Sequence, residues 1–299
     1  MIQIVNKRYL YFAISLLVIV PGIIILLTGG MPLSIDFTGG SLLEVQFEAG
    51  NTPQPAELVT LYEDATIEDA QVQTTDTGTL IIRSSFLDNE KRDQVLDAMR
   101  ELTGSEVTII RFDSVGPSIG EQVTSRAALA VVIYITLAFR KVANAFRYGI
   151  CAIIAMVHDV AVVFSVAGVG GLLFGWQMDA LFLTALLTVI GFSVQDKIVV
   201  FDRIRENSTI LRRLDFETLV NHSIVQTLQR SINTQLMTVE FLLLALVLFG
   251  GVTLQEFASI LLVGLFSGTY SSIFIAAPIL VLWENKEWKT WFRRKEVTA

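Results

Sequence analysis

Six runs of apolar residues govern what this chain can become: Tyr9 to Gly29, Gln122 to Phe139, Ile150 to Phe174, Ala180 to Phe201, about Leu228 to Phe249, and Phe257 to Trp283. A hydrocarbon layer about 30 Å thick asks for about 20 apolar residues per helical crossing, and five of the runs meet that length. The second is shorter. Only Ala127 to Phe139 is cleanly apolar there, and Thr124, Ser125 and Arg126 fall in its outer turns, so it belongs inside a bundle and away from lipid. Apolar residues make up 53% of the chain and the mean hydropathy is +0.59, more than a soluble core of this length needs. The expected fold class is a polytopic α-helical membrane protein with six transmembrane helices.

Lys7 and Arg8 precede the first run as they would in a cleavable signal, but the apolar stretch Tyr9 to Leu27 is longer than the usual 7 to 15 residues or so. An anchoring helix is expected. The single cysteine, Cys151, excludes an intrachain disulfide and reads as a small buried hydrophobe. Positive residues orient the helices. Arg140, Lys141 and Arg147 lie in one connection, Arg203, Arg205, Arg212 and Arg213 in another, and Lys286, Lys289, Arg293, Arg294 and Lys295 in the tail. The short loops Gly175 to Asp179 and Gly250 to Glu256 carry no lysine or arginine. The positive segments belong on the cytoplasmic side, which places both termini there. The expected division is a cytoplasmic N-terminus with helix one over 1–29, an extracytoplasmic domain over 30–121, helices two to six over 122–283, and a basic cytoplasmic tail over 284–299.

The hydrophilic insertion from Gly30 to Thr124 carries 17 acidic and 5 basic residues for a net charge of −12, while the rest of the chain carries +5. Such an acidic insertion argues against a nucleic-acid partner, which would want clustered Lys and Arg. Its alternation predicts strand 42–47, helix 53–64, strands 70–75 and 79–84, helix 89–102 and strand 106–114. Thr52-Pro53 reads as a helix start and Asp76-Thr77-Gly78 as a hairpin turn. The order βαββαβ is a ferredoxin-like α+β arrangement. Glycine-rich junctions enclose it, with Asp36, Gly39 and Gly40 on entry and Gly116, Pro117 and Gly120 on exit. These suit either a hinge or ordinary tight turns.

Within the fourth run, Asp196 is the residue of greatest functional promise. A carboxylate at a bilayer centre costs at least about 2.5 to 3.5 kcal/mol, so it is retained where it lines a pathway or meets a partner. Burial also penalises the charged form, which brings proton exchange by a carboxyl group toward neutral pH. His158 and Asp159 form another polar island, either a relay or a pair satisfied by a neighbouring helix. Lys197 and Glu240 are unusual charges of opposite sign on adjacent predicted helices; they can pair, or Lys197 can snorkel to the cytoplasmic face. Gly171 with Gly175 and Gly264 with Gly268 are small-xxx-small pairs suited to close helix packing. His222 has no second histidine or cysteine near it, so no metal site is expected.

The motifs Ile35 to Gly40 (IDFTGG), Val115 to Gly120 (VGPSIG), His158 to Val160 (HDV), Gly191 to Asp196 (GFSVQD), Phe201 to Asn207 (FDRIREN) and Gln229 to Thr234 (QRSINT) run in order along the chain. With six spans and one large loop, they resemble the SecD/SecF family of export subunits, within the resistance-nodulation-division group of transporters. The resemblance implies a subunit of an accessory complex that uses an ion gradient, proton motive force or sodium, to promote preprotein translocation and release across a prokaryotic plasma membrane. It implies Asp196 and Arg230 as the ion-coupling pair, with helix four running inward and helix five returning so that the two can face one another. It also implies a six-helix partner, SecD, the SecYEG channel, and unfolded preprotein on the outer side. No cofactor is implied beyond transported H+ or Na+. Where the family carries asparagine and threonine around the aspartate, this chain has Gln195 and Lys197. The cluster Asp202, Arg203, Arg205 and Glu206 belongs to the FDRIREN motif on the cytoplasmic side.

Two other function classes are open. A small-molecule or lipid exporter of the same group would want larger outer domains than one of about a hundred residues. An intramembrane enzyme would want a nucleophile with a base, and neither histidine has an obvious serine partner, so no enzymatic activity is expected.

Overall fold

The computed structural model describes residues 3–48, 52–75, 78–116, 118–126, 129, 133, 146–233 and 241–287. The chain divides into two compact units, Leu33–Leu129 and the remainder.

In the first unit, the turn of helix α2 (Ile35–Thr38) precedes strand β1 (Gly40–Phe47), helix α3 (Pro55–Asp64), β2 (Gln71–Thr74), β3 (Leu80–Ser84), helix α4 (Asn89–Thr103) and β4 (Val107–Val115). Residues 118–126 are helical and form α5. The sheet order is β2-β3-β1-β4, and every neighbouring pair is antiparallel. Period-two alternation in β1 and β3 sends Leu43, Val45, Leu80 and Ile82 to the core face, where they bury Leu58 and Tyr62 of α3 and Val95, Leu96 and Met99 of α4. Helix α3 starts two residues after the predicted Pro53. Gln54 precedes a proline, which disfavours helical backbone there, so it stays extended at φ −71° and ψ 145°, and Pro55 takes the first helical position. Helix α4 begins on its Asp88 cap, which accepts from the Lys91 amide at 2.8 Å, and ends at left-handed Gly104.

The two predicted junctions meet. Gly40 (φ +122°) leads into β1, and a Cβ on Gly120 would stand 2.6 Å from the Gly39 amide nitrogen. Thr124 Oγ1 donates to the Phe37 carbonyl at 2.9 Å. Pro117 lies outside the described residues.

Among the described residues, the second unit contains four helical stretches long and apolar enough to cross a membrane: Val5–Gly29, Arg147–Phe174, Ala180–Ile210 and Leu254–Glu284. Of the second predicted span, only residues 122–126, 129 and 133 are described. The chain is a membrane protein on this evidence of length and composition. Helix α1 (Arg8–Gly29) packs on α6 (Phe146–Phe174), where Gly22 sits against Ser165 and the Ser165 hydroxyl donates to the Val18 carbonyl at 2.8 Å.

Helix α7 (Ala180–Ile210) runs well beyond the predicted end at Phe201. The charged cluster was expected in a connection, but it is helical. Arg203–Glu206 (2.8 Å) and Arg205–Asp202 (2.7 Å) are pairs three residues apart on one helix surface, which favours continuing the helix into solvent. The chain then turns over residues 211–215, and Asp215 caps helix α8 (Phe216–Ser231) by accepting from the Thr218 amide. Asn207 fastens the two helices through Ser223 (2.8 Å) and Gln226 (2.9 Å). The predicted fifth span therefore comprises the end of α8, residues 234–240 outside the described set, and α9 (Phe241–Phe249).

The last apolar run forms α10 (Val252–Ser271), a π-turn over Ser272–Ala276, and α11 (Ala277–Glu284). Pro278 stands just past the turn. A proline there lacks the amide that would continue the hydrogen-bond ladder, which gives the irregular turn a local cause. Gly264 lets α10 approach α7, since an added Cβ would overlap Val189 Cγ2, and one on Gly268 would stand 3.3 Å from the Ser193 Cα. Gly264→Ala should therefore lower the thermal midpoint, overpacking costing about 1–3 kcal/mol against at most about 1 kcal/mol gained in helix propensity. Gly251→Ala, whose added Cβ meets nothing within 4 Å, should lower the midpoint less, by no more than the loss of a glycine N-cap ahead of α10. Equal midpoints for the two variants would contradict close α7–α10 packing at Gly264.

Candidate functional site

The close packing of α6, α7 and α10 brings together side chains that a lipid-facing helix would not carry. Asp159 of α6 is 1% exposed, and Lys197 of α7 is 0% exposed. They form an ion pair of 2.7 Å between Lys197 Nζ and Asp159 Oδ2. Three serines complete the shell. Ser193 and Ser271 donate to Asp159 Oδ2 at 2.6 and 2.7 Å, and Ser267 donates to Oδ1 at 2.8 Å. Lys197 Nζ also reaches the hydroxyl and carbonyl oxygens of Ser193, one helical turn before it. His158 Nδ1 lies 3.1 Å from Asp159 Oδ1, and its ring stacks over Tyr270 with centroids 6.2 Å apart. Asp159 is thus satisfied by side chains of α7 and α10, whereas His158 Nε2 is buried with no hydrogen-bond partner among the described residues.

This arrangement corrects one expectation. Lys197 does not snorkel, since its ammonium is buried, and its partner is Asp159; Glu240 lies outside the described residues. The physical reason is angular. Asp196 and Lys197 are consecutive on a helix and so point about 100° apart, which sends the lysine toward α6 and α10.

Asp196 occupies a second, separate shell and is 6% exposed. Its carboxylate accepts from Ser231 Oγ at 3.0 Å and from Ser272 Oγ at 2.9 Å. Ser231 ends α8 and Ser272 opens the π-turn, so the irregular segment delivers a hydroxyl to the carboxylate. Arg230 is exposed at the end of α8, and its neighbour Ser231 touches Asp196. Gln195 is exposed, and Asp202, Arg203, Arg205 and Glu206 lie on the solvent-facing end of α7. Among the described residues, no group of three or more His, Cys, Asp or Glu could hold a metal ion.

The serines escaped the sequence reading, although a signal was present: Ser267-Gly268-Thr269-Tyr270-Ser271-Ser272 is a hydroxyl-rich stretch inside an apolar run. Ser271 and Ser272 are adjacent, yet one serves Asp159 and the other Asp196.

Comparison with known proteins places this architecture. The family model "Protein export membrane protein SecD/SecF, C-terminal" matches residues 94–286, and the "SecD/SecF GG Motif" matches residues 24–50, around Gly39 and Gly40. The chain is 66% identical to the protein translocase subunit SecF of Anaerolinea thermophila, covering 98% of each chain. It is 46% identical to that of Thermobaculum terrenum, covering 100% of this chain and 99% of the relative. The crystal structure of SecDF, a translocon-associated membrane protein from Thermus thermophilus, superposes with a TM-score of 0.81 at 31% identity. That match covers 95% of this chain but 39% of the longer SecDF chain. On these matches, together with the apolar helices and the glycine junction, the chain belongs to the SecF family of protein translocase subunits.

Proposed function

We propose that this chain is the SecF half of an accessory translocase that spends an ion gradient on preprotein translocation and release, with no enzymatic activity and no resident cofactor. The observation that carries the coupling is the shell around Asp196. Its hydrogen-bond donors among the described residues are neutral hydroxyls, whereas Asp159 is in direct contact with a counter-charge in Lys197. Ser272 Oγ lies 2.9 Å from Asp196 Oδ2 and 2.8 Å from the Thr269 carbonyl. One hydroxyl proton therefore has two acceptors. It turns to Asp196 when the carboxylate is ionised and to Thr269 when Asp196 is protonated and donates to the serine oxygen. Either protonation state is thus accommodated, and moving one charge through 100 mV is worth about 2.3 kcal/mol, roughly a 50-fold bias between two conformations. Arg230 acts beside this shell as the cationic member of the pair, within reach of the segment that carries Ser231.

The same reading gives six crossings, the second and fifth completed by residues outside the described set. It places a ferredoxin-like domain over 30–121 on the extracytoplasmic side of a prokaryotic plasma membrane, with both termini cytoplasmic. Its βαββαβ order and all-antiparallel sheet support this. SecD supplies the other half of the unit, as fusion of the two in the longer SecDF relatives supports. The SecYEG channel and emerging preprotein are the further partners, and Gly39, Gly40, Gly116, Pro117 and Gly120 are the hinge.

The test is export of a reporter preprotein by inverted vesicles holding the channel, with and without this chain and its SecD partner, under an imposed gradient. A gradient-dependent increment should appear only when both subunits are present. Identical export in their absence would overturn the reading.

A further inference from the structure

The groups around the Lys197 ammonium have the composition of a monovalent-cation site. Among the described residues, Nζ is met by one carboxylate oxygen, Asp159 Oδ2 at 2.7 Å, by the Ser193 hydroxyl, and by the Ser193 carbonyl at 3.3 Å. Ser267 and Ser271 hold the carboxylate from behind. All these ligands are buried oxygens, the ligand type that replaces the hydration shell of a hard cation. Charge balance selects the valence. One carboxylate neutralises one positive charge, so a divalent ion would be left in excess, while a single monovalent ion would be matched.

We propose that the Asp159 cluster is a monovalent-cation cage in which the Lys197 ammonium stands as a tethered cation, closing the site to free sodium. Lys197 is then a specificity-determining residue. Its buried side chain occupies the space beside Asp159, and its charge supplies what that ion would supply. Shortening the side chain opens both the space and the vacancy, with water completing the coordination beside Asp159, Ser193 and the backbone carbonyl. This inference stands apart from the role of Asp196, whose carboxylate has its own shell.

The test uses the full chain in lipid nanodiscs. Thermal unfolding is followed in sodium chloride and in choline chloride of equal strength, and 22Na+ binding is measured at equilibrium. Lys197→Ser should bind about one sodium per chain saturably and gain stability in sodium over choline, as a ligand of the folded state must confer. The parent chain should show neither effect at this cage, and Lys197→Ser with Asp159→Asn should lose both. A folded Lys197→Ser chain indifferent to sodium overturns the proposal. So does an equal sodium response in the parent, or one that survives loss of Asp159. Lys197→Gln fills the stem without its charge and gives the second measurement. Its midpoint should fall in either salt, and a Gln variant as stable as the parent overturns the proposal even if Lys197→Ser does not fold.

Discussion

Asp159→Asn should destabilise the full chain by about 3–5 kcal/mol, the range expected when one member of a buried ion pair is removed and the other is left uncompensated. The burial makes the case. Lys197 is 0% exposed and cannot carry its ammonium to water without unpacking α7 from α6 and α10. Asparagine preserves the size of the side chain and can still accept from Ser193 or Ser267, so a fall in the midpoint reports the lost charge and not a cavity. Lys197→Met alone should cost a similar amount by stranding the carboxylate. The double replacement should recover most of either loss, because two neutral groups of similar volume need no counter-charge. Thermal unfolding of the four chains gives the coupling as a double-mutant cycle. Strictly additive losses would show that the 2.7 Å contact carries no energetic link.

That pair also marks where reading the sequence stops. The strands and helices of the 33–129 unit were legible because each has its own period and its own punctuation: Asp88 ahead of α4, Gly104 behind it, Gly78 at φ +79° closing the hairpin. The apolar runs were equally plain. The end of α7 was not, since charges after an apolar run look like a loop until their three-residue pairing is considered. In sequence, Lys197 and Glu240 are two unusual charges of opposite sign on adjacent predicted helices, compatible either with a pair or with a snorkelling lysine. In the structure Lys197 pairs with Asp159, the acidic half of the His158-Asp159 island. Which helix faces which is a tertiary fact, set here by Gly264 and Gly268 admitting α10 against α7, and no period in one helix encodes it. Asp196 was legible for a different reason. A carboxylate in an apolar run is conspicuous at any packing, but its ligands Ser231 and Ser272 come from segments far apart in sequence.

Asp196→Asn should abolish the gradient-dependent part of export while leaving the gradient-independent part in place. The substitution keeps the shape: its amide oxygen can accept from one of Ser231 and Ser272 and its amide nitrogen can donate to the hydroxyl oxygen of the other, so α7, α8 and the π-turn should stay packed and the complex should assemble. What it removes is the change of charge: an amide neither ionises nor binds a proton near neutral pH, so the potential has nothing to act on at this position. Ser272→Ala is the graded companion. It leaves Asp196 titratable but takes away the hydroxyl that serves both protonation states, so the gradient response should weaken without vanishing. Inverted vesicles with SecD and the channel, driven by a proton or a sodium gradient, separate these cases, and the gradient that restores the increment names the ion. Should Asp196→Asn export respond to the gradient as the parent does, Asp196 is a structural hydrogen-bond acceptor between α7, α8 and the π-turn, and coupling must be sought at another residue.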